Sequence, residues 1–365
     1  SNEVMAMQGT KHGVGIKDIE VDTKGNIFFI NAIAEKPFPD WDDARWIRVS
    51  IIPANGGTIT SSDIELTGGN PINGLISTSE NGNVFVCGYY AQLTDPKDGG
   101  KEFFGGSYVA QISPVTGEVM KVDEVELTDN QKKALYISSM NPNSPPRSYY
   151  REMNSMIPLK LYVDASGNTT LVGAVEYSVT TTSTKSSRTT FYSNSMLVSK
   201  FKSTCEVAWQ TVIPRAAFLN SMSYGLYPLV YFDKGKTFVL FNDDEENIPI
   251  LSQVASGKKS SSSSKSSSSK PFKPKDYPPT ETDEVEKMES WNLKSTALRF
   301  TTIDETGKWK VDWLTPEGAE DKDKIPAIEG TVLHRDSNND IITSVYTKYG
   351  PFGLKKSATA RIKLN

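Results

Sequence analysis

The sequence predicts an all-β protein built from serial, four-stranded antiparallel sheets. Three observations carry that prediction. A short hairpin pattern closed by a tight turn, Asp-x-x-Gly in the first and third copies, recurs five times, a strand–turn–strand unit follows the first four copies, and the 365 residues include 26 Gly and 20 Pro. A turn-rich composition of this kind suits many short strands.

The hairpins read "IEVDTKGNIFFINA" from Ile19, "ISTSENGNVFVCGY" from Ile76, "LYVDASGNTTLVGA" from Leu161, "VYFDKGKTFVLFN" from Val230 and "LHRDSNNDIITSVY" from Leu333. Each opens its turn with a short oxygen-bearing side chain able to bond the backbone two residues on: Asp22, Ser79, Asp164, Asp233 and Asp336. Gly25, Gly82, Gly167 and Gly235 supply positive φ, and Asn339 takes that place in the fifth copy. Alternating β-branched and aromatic residues on both sides specify strands. The second unit reads "RWIRVSIIPANGGTIT" from Arg45, "YVAQISPVTGEVMKV" from Tyr108, "MLVSKFKSTCEVAWQ" from Met196 and "ALRFTTIDETGKWKV" from Ala297.

Hairpin plus hairpin gives four strands in up-and-down order, the sequence pattern of a β-propeller blade. Successive turn anchors lie 57, 85, 69 and 103 residues apart. A compact blade needs roughly 40–45 residues, so every unit carries insertions. After the fifth hairpin only "SATARIKLN" follows, while "EVMAM" (Glu3 to Met7) precedes the first hairpin without a partner. The expectation is one domain over residues 1–365 with five four-stranded blades, closed by the N-terminal strand; six blades or an irregular propeller is the alternative.

In such a meander the first-to-second and third-to-fourth turns lie at one end and the other connections at the opposite end. The long segments 33–45, 90–106, 128–155, 176–194 and 242–295 all fall in the second class and are expected to project from one face. They supply the candidate binding residues Phe38, Asp40, Trp41, Asp42, Asp43, Phe103, Phe104, Tyr149, Tyr150, Asp243, Asp244 and Glu245. Aromatic rings beside hydrogen-bonding groups suit a sugar ring or a protein partner. Packing of the same rings as lids is the competing reading. Residues 256–280, rich in Ser, Lys and Pro, read as a mobile insertion in the fourth blade, and Thr128 to Ser139 as a short helix.

Several chemistries find no support. The net charge of −4 gives no electrostatic reason to bind nucleic acid, and no apolar run approaches the roughly 20 residues of a membrane span. Cys87 and Cys205 are too few for a disulfide framework or a thiolate zinc site, and a bridge between them is disfavoured by their different levels in the fold. The only histidines are His12 and His334, and no nucleophile elbow, phosphate-binding loop or zinc-protease motif occurs. The acidic runs lack the spacing of a calcium loop, so no cofactor is expected, and a solvated loop is favoured over a calcium site. "NTT" at Asn168 matches a glycosylation sequon but sits in a tight turn.

The pair "VDASGNTTLVGA" and "LVSKFKSTCEVAW" resembles bacterial extracytoplasmic propellers with Asp-x-x-Gly-Asn hairpins. That resemblance implies the propeller fold and a periplasmic, cell-surface or secreted location, and carries over no catalytic residue. The function expected is a non-catalytic binding or scaffold propeller whose loop-rich face holds a protein or glycan partner. The alternative is a carbohydrate-active hydrolase or lyase with loop carboxylates at the central funnel, which needs two carboxyl groups about 5–9 Å apart.

Overall fold

The computed structural model describes residues 13–34, 46–93, 102–139, 156–182, 186–220, 226–248, 296–314, 327–335, 341–349 and 354–362. They form five antiparallel sheets in chain order. The first comprises β1 (Gly13–Val21), β2 (Ile27–Ala34), β3 (Trp46–Ile52) and β4 (Thr60–Ile64). The second comprises β5 (Asn70–Thr78), β6 (Val84–Leu93), β7 (Glu102–Ile112) and β8 (Val119–Glu126), followed by the helix α1 (Asp129–Ser139). The third comprises β9 (Met156–Val163), β10 (Thr169–Thr182), β11 (Ser187–Phe201) and β12 (Val207–Asn220). The fourth comprises β13 (Leu229–Asp233), β14 (Lys236–Asp243), β15 (Ala297–Ile303) and β16 (Trp309–Leu314). The fifth has three strands, β17 (Ala327–Arg335), β18 (Ile341–Tyr349) and β19 (Leu354–Ile362). Serial four-stranded meanders of this kind are β-propeller blades. Residues 3–7, expected to complete the fifth sheet, lie outside the described residues, as does the 256–280 insertion.

The repeated turns form as their residues dictate. Asp22 Oδ1 accepts from the amides of Lys24 (2.9 Å) and Asn26 (2.8 Å), and its Oδ2 accepts from Asn26 Nδ2 (2.7 Å). Asp164 does the same with Ser166 and Asn168. Gly25, Gly82 and Gly167 take φ of 84°, 79° and 82°, the left-handed residue that closes a three-residue hairpin loop. The fourth hairpin is tighter: Lys234 and Gly235 both have positive φ, and Asp233 pairs directly with Lys236. At Asn168 the sequon side chain is held by Asp164 and by the Ser203 amide.

Contacts divide the chain into two compact units, one of residues 1–129, 150–174 and 197–211, the other of residues 130–149, 175–196 and 212–365. The first unit is built around Phe28, Ile30, Ile47, Val49, Ile51, Val84, Val86, Tyr108, Ala110 and Ile112. Middle strands such as β2 are buried on both faces, so their sequence ("IFFINAIA") reads as a continuous apolar run. In this unit the first strands of successive sheets adjoin, joined by side chains reaching backbone. Asp18 Oδ2 accepts from the Ile76 amide (3.0 Å), Glu20 Oε1 from the Thr78 amide (3.3 Å), and Asn73 Nδ2 donates to the Met156 carbonyl (2.6 Å). A register shift between Ile16 and Asp18 marks a bulge beside the carboxylate on β1.

Cys87 and Cys205 are both buried free thiols. Burial pushes Cys87 up to about 12, which keeps it an unreactive thiol. In the second unit, Leu229, Leu240 and Leu298 form one apolar cluster, and Ala217, Leu219 and Leu226 another.

Two sequence expectations change here. Residues 176–194 are mostly not a loop: β10 and β11 extend through "EYSVTTT" and "SRTTFYSN", whose β-branched and aromatic residues favour paired strands. Residues 90–106 shrink similarly, because β6 runs to Leu93 and β7 starts at Glu102.

Candidate functional site

The expected loop face is placed only in part. Phe38, Asp40, Trp41, Asp42, Asp43, Tyr149 and Tyr150 lie outside the described residues, and Phe103 is placed only as part of β7. Phe104 is a core residue, 5.6 Å from the Tyr89 ring, because β7 continues through it. Asp243 and Asp244 are buried, and Glu245 is exposed. "NDDEEN" is thus not one solvated acidic loop. Its first aspartate ends β14 with its side chain turned inward.

That inward turn builds a polar cluster within the second unit. Register pairs Phe241 of β14 with Arg299 of β15, and Asp243 lies two residues on, so the three side chains share one face of the sheet. Arg299 Nη1 donates to Asp243 Oδ2 (3.3 Å) and to the Pro214 carbonyl (2.7 Å). The other oxygen, Asp243 Oδ1, accepts from the Asp244 amide (2.8 Å) and Asn247 Nδ2 (2.7 Å). Arg215 of β12 donates through Nη1 to Ser193 Oγ (2.8 Å) and through Nη2 to the Leu226 carbonyl (2.5 Å). Ser193 of β11 in turn donates to Glu176 of β10 (3.2 Å). Both guanidinium groups lie against the Phe241 ring, 4.8 and 5.0 Å from its centroid.

Arg215, Arg299 and Asp243 are each 0% exposed. Burial disfavours every charge in the cluster. It pulls Arg215 down to about 10 against the opposing pull of Glu176 and Asp243. It lowers Arg299 and raises Asp243, and each of these two is the main charge that restrains the other's shift. Burial also raises Glu176, opposed by Arg215 and by the Ser193 hydroxyl. Asp243 therefore has both oxygens occupied. Glu176 is half-buried and accepts from the Ser193 hydroxyl through one oxygen.

The opposite face of the same strands carries aromatic rings. Strand alternation puts Tyr177 opposite in sense to Glu176, and Tyr192 opposite to Ser193. Tyr177 and Tyr192 stack in parallel, with centroids 4.7 Å apart and planes 7° apart, and Phe218 of β12 continues the row at 6.0 Å from Tyr192. All three rings are half-buried. The reading of the sequence missed this ladder, although "EYSV" and "FYSN" in one hairpin carry its signal.

Among the described residues no group of three or more His, Cys, Asp or Glu side chains is placed to hold a metal ion, and no helix is long and apolar enough to cross a membrane.

No family model matches the chain, and no curated protein matches it. Solved structures similar to it include a protein of unknown function from Dyadobacter fermentans, at 12% identity over 96% of this chain and 79% of that one, with a TM-score of 0.35. The endo-arabinase of Bacteroides thetaiotaomicron is 12% identical over 97% of this chain and 95% of its own, with a TM-score of 0.27. The GH43 enzyme of Xanthomonas citri is 8% identical over 99% of this chain and 93% of its own, with a TM-score of 0.33.

Proposed function

We propose that this chain is an exported, non-catalytic binding propeller that holds a glycan, with the aromatic face of strands β10–β12 as part of its binding surface. The observation that carries this reading is the half-buried row of Tyr177, Tyr192 and Phe218 across three neighbouring strands. Stacked rings bring apolar ring edges and tyrosine hydroxyls together, a combination that suits the C–H and O–H groups of a sugar. A glycan is favoured over a protein partner because the row is narrow and set in regular strands, whereas protein hot spots sit in a wider desolvated patch. Among the described loop carboxylates, Asp243 is engaged by Arg299, the Asp244 amide and Asn247, which fits a structural part for that residue.

The test is a glycan panel read by calorimetry and by thermal shift. Tyr192→Ala is expected to weaken binding of the responding glycan at least tenfold while the rest of the fold is retained. Unchanged affinity in Tyr177→Ala and Tyr192→Ala would remove the ladder from the site.

A second reading is glycoside hydrolysis. It is favoured by one observation, the raised Glu176 carboxyl beside Arg215, which suits a proton donor. Turnover of any glycan that is abolished in Glu176→Gln would replace the binding reading with this one.

A further inference from the structure

The guanidinium of Arg299 is only half used. Nη1 makes both of its hydrogen bonds, while Nε and Nη2 are buried and have no partner. These two N–H groups form one edge of the planar group, the edge that grips a carboxylate with two parallel bonds. Arg48 shows this pairing in the same protein: its Nε and Nη2 donate to Asp63 Oδ1 (2.6 Å) and Oδ2 (2.9 Å). Arg299 presents the same fork, at 0% exposure, with neither bond made. Arg215, against the same phenylalanine ring, adds a third buried N–H without a partner at its Nε.

Unpaired buried donors on a charged group are expensive, and the large majority of buried polar groups are satisfied. Three of them around one ring call for a shared explanation. We infer that the Nε–Nη2 edge of Arg299 is a binding site for the carboxylate group of a small organic acid, with Arg215 Nε as an accessory donor.

The planar two-oxygen shape of a carboxylate matches the fork. Its single charge adds the least to the two carboxyl groups already present, Asp243, paired with Arg299, and Glu176, hydrogen-bonded to Ser193. A doubly charged phosphate or sulfate would place excess negative charge beside both carboxyl groups. Full burial means that entry needs local opening, so exchange is expected to be slow. The carboxylate belongs either to a free short-chain acid or to an acidic sugar, and the site stands whether or not the aromatic ladder binds glycans.

The experiment uses the whole chain and carbon-13-labelled formate observed by NMR. A second formate resonance should appear, saturate at one per chain and exchange slowly with the free signal. Formate should also raise the melting temperature relative to chloride at equal ionic strength, since a ligand of the folded state stabilises it by mass action. Arg299→Lys keeps the charge and loses the fork, and should weaken binding at least tenfold. If that variant does not fold, the comparison of formate with chloride on the unaltered protein carries the test alone. Competition by glucuronate identifies an acidic sugar as the source, and competition by acetate alone identifies a free acid. Three results would each overturn the inference: absence of a bound resonance with equal melting temperatures in formate and chloride, a resonance that persists in Arg299→Lys, or displacement of formate by sulfate as effectively as by acetate.

Discussion

Replacing Asp243 by alanine tests the energetic logic of the buried cluster. The carboxylate accepts from Arg299 Nη1, the Asp244 amide and Asn247 Nδ2, and both it and Arg299 are 0% exposed. Removing it leaves a guanidinium charge in the interior, bonded to the Pro214 carbonyl and lying against the Phe241 and Trp309 rings, with the like charge of Arg215 on the same phenylalanine. Breaking a buried pair from one side costs about 3–5 kcal/mol, most of it the penalty of the abandoned charge. The double variant Asp243→Ala/Arg299→Met removes that charge together with its two unpartnered N–H groups, at the expense of the bond to Pro214. It should therefore be at least about 2 kcal/mol more stable than Asp243→Ala alone. Two compact units need not unfold together, so native-state hydrogen exchange at the amides of β14 and β15 is the suitable assay, supported by urea titration. A loss below about 1 kcal/mol in the single variant, or strictly additive losses in the double variant, would refute the reasoning.

Three further outcomes follow from the same physical arguments. A Cβ added at Gly88 would lie 2.0 Å from the Asn73 carbonyl oxygen and 2.8 Å from the Tyr108 ring, so Gly88→Ala should destabilise the first unit by about 3 kcal/mol, measured by urea unfolding. Glu176 holds its proton more tightly folded than unfolded; its contribution to stability is present below its unfolded value of 4.5 and is lost as pH rises through the raised folded value. Melting temperatures of the parent and Glu176→Gln should accordingly diverge on the alkaline side of that window. Asp304 behaves oppositely: bonds from the Thr306 hydroxyl and from the Thr306 and Lys308 amides lower it, so its contribution is present above 3.8 and lost as pH falls through the folded value, and Asp304→Asn should flatten the acid limb of a pH–stability profile.

The hairpins were legible in the sequence because they are local. Asp22, Gly25 and Asn26 bond one another within five residues, so no distant part of the chain is needed to read the turn. The cluster was not legible for the converse reason: Glu176, Ser193, Arg215, Asp243 and Arg299 come from five strands and meet only after two sheets have formed. A run such as "NDDEEN" reads as solvated until Arg299, paired through strand register, turns its first aspartate inward. Cys205 is a smaller case. It occupies with φ of 68° the turn position that Gly117 and Gly307 fill in other sheets, and nothing in "KSTCEV" distinguishes that geometry from an ordinary turn.

The junctions between successive sheets of the first unit also bear on how such a chain tolerates change in length. Asp18, Glu20 and Asn73 join first strand to first strand through side chains, and these bonds do not impose the residue-by-residue register of a backbone ladder. One sheet can accept extra residues in its connections without forcing its neighbour to slip, consistent with turn anchors 57 and 85 residues apart belonging to adjoining sheets. The same carboxylates occupy the Ile76 and Thr78 amides, which an edge strand would otherwise offer to a foreign chain. Duplication and drift of individual sheets can then proceed without exposing a template for aggregation.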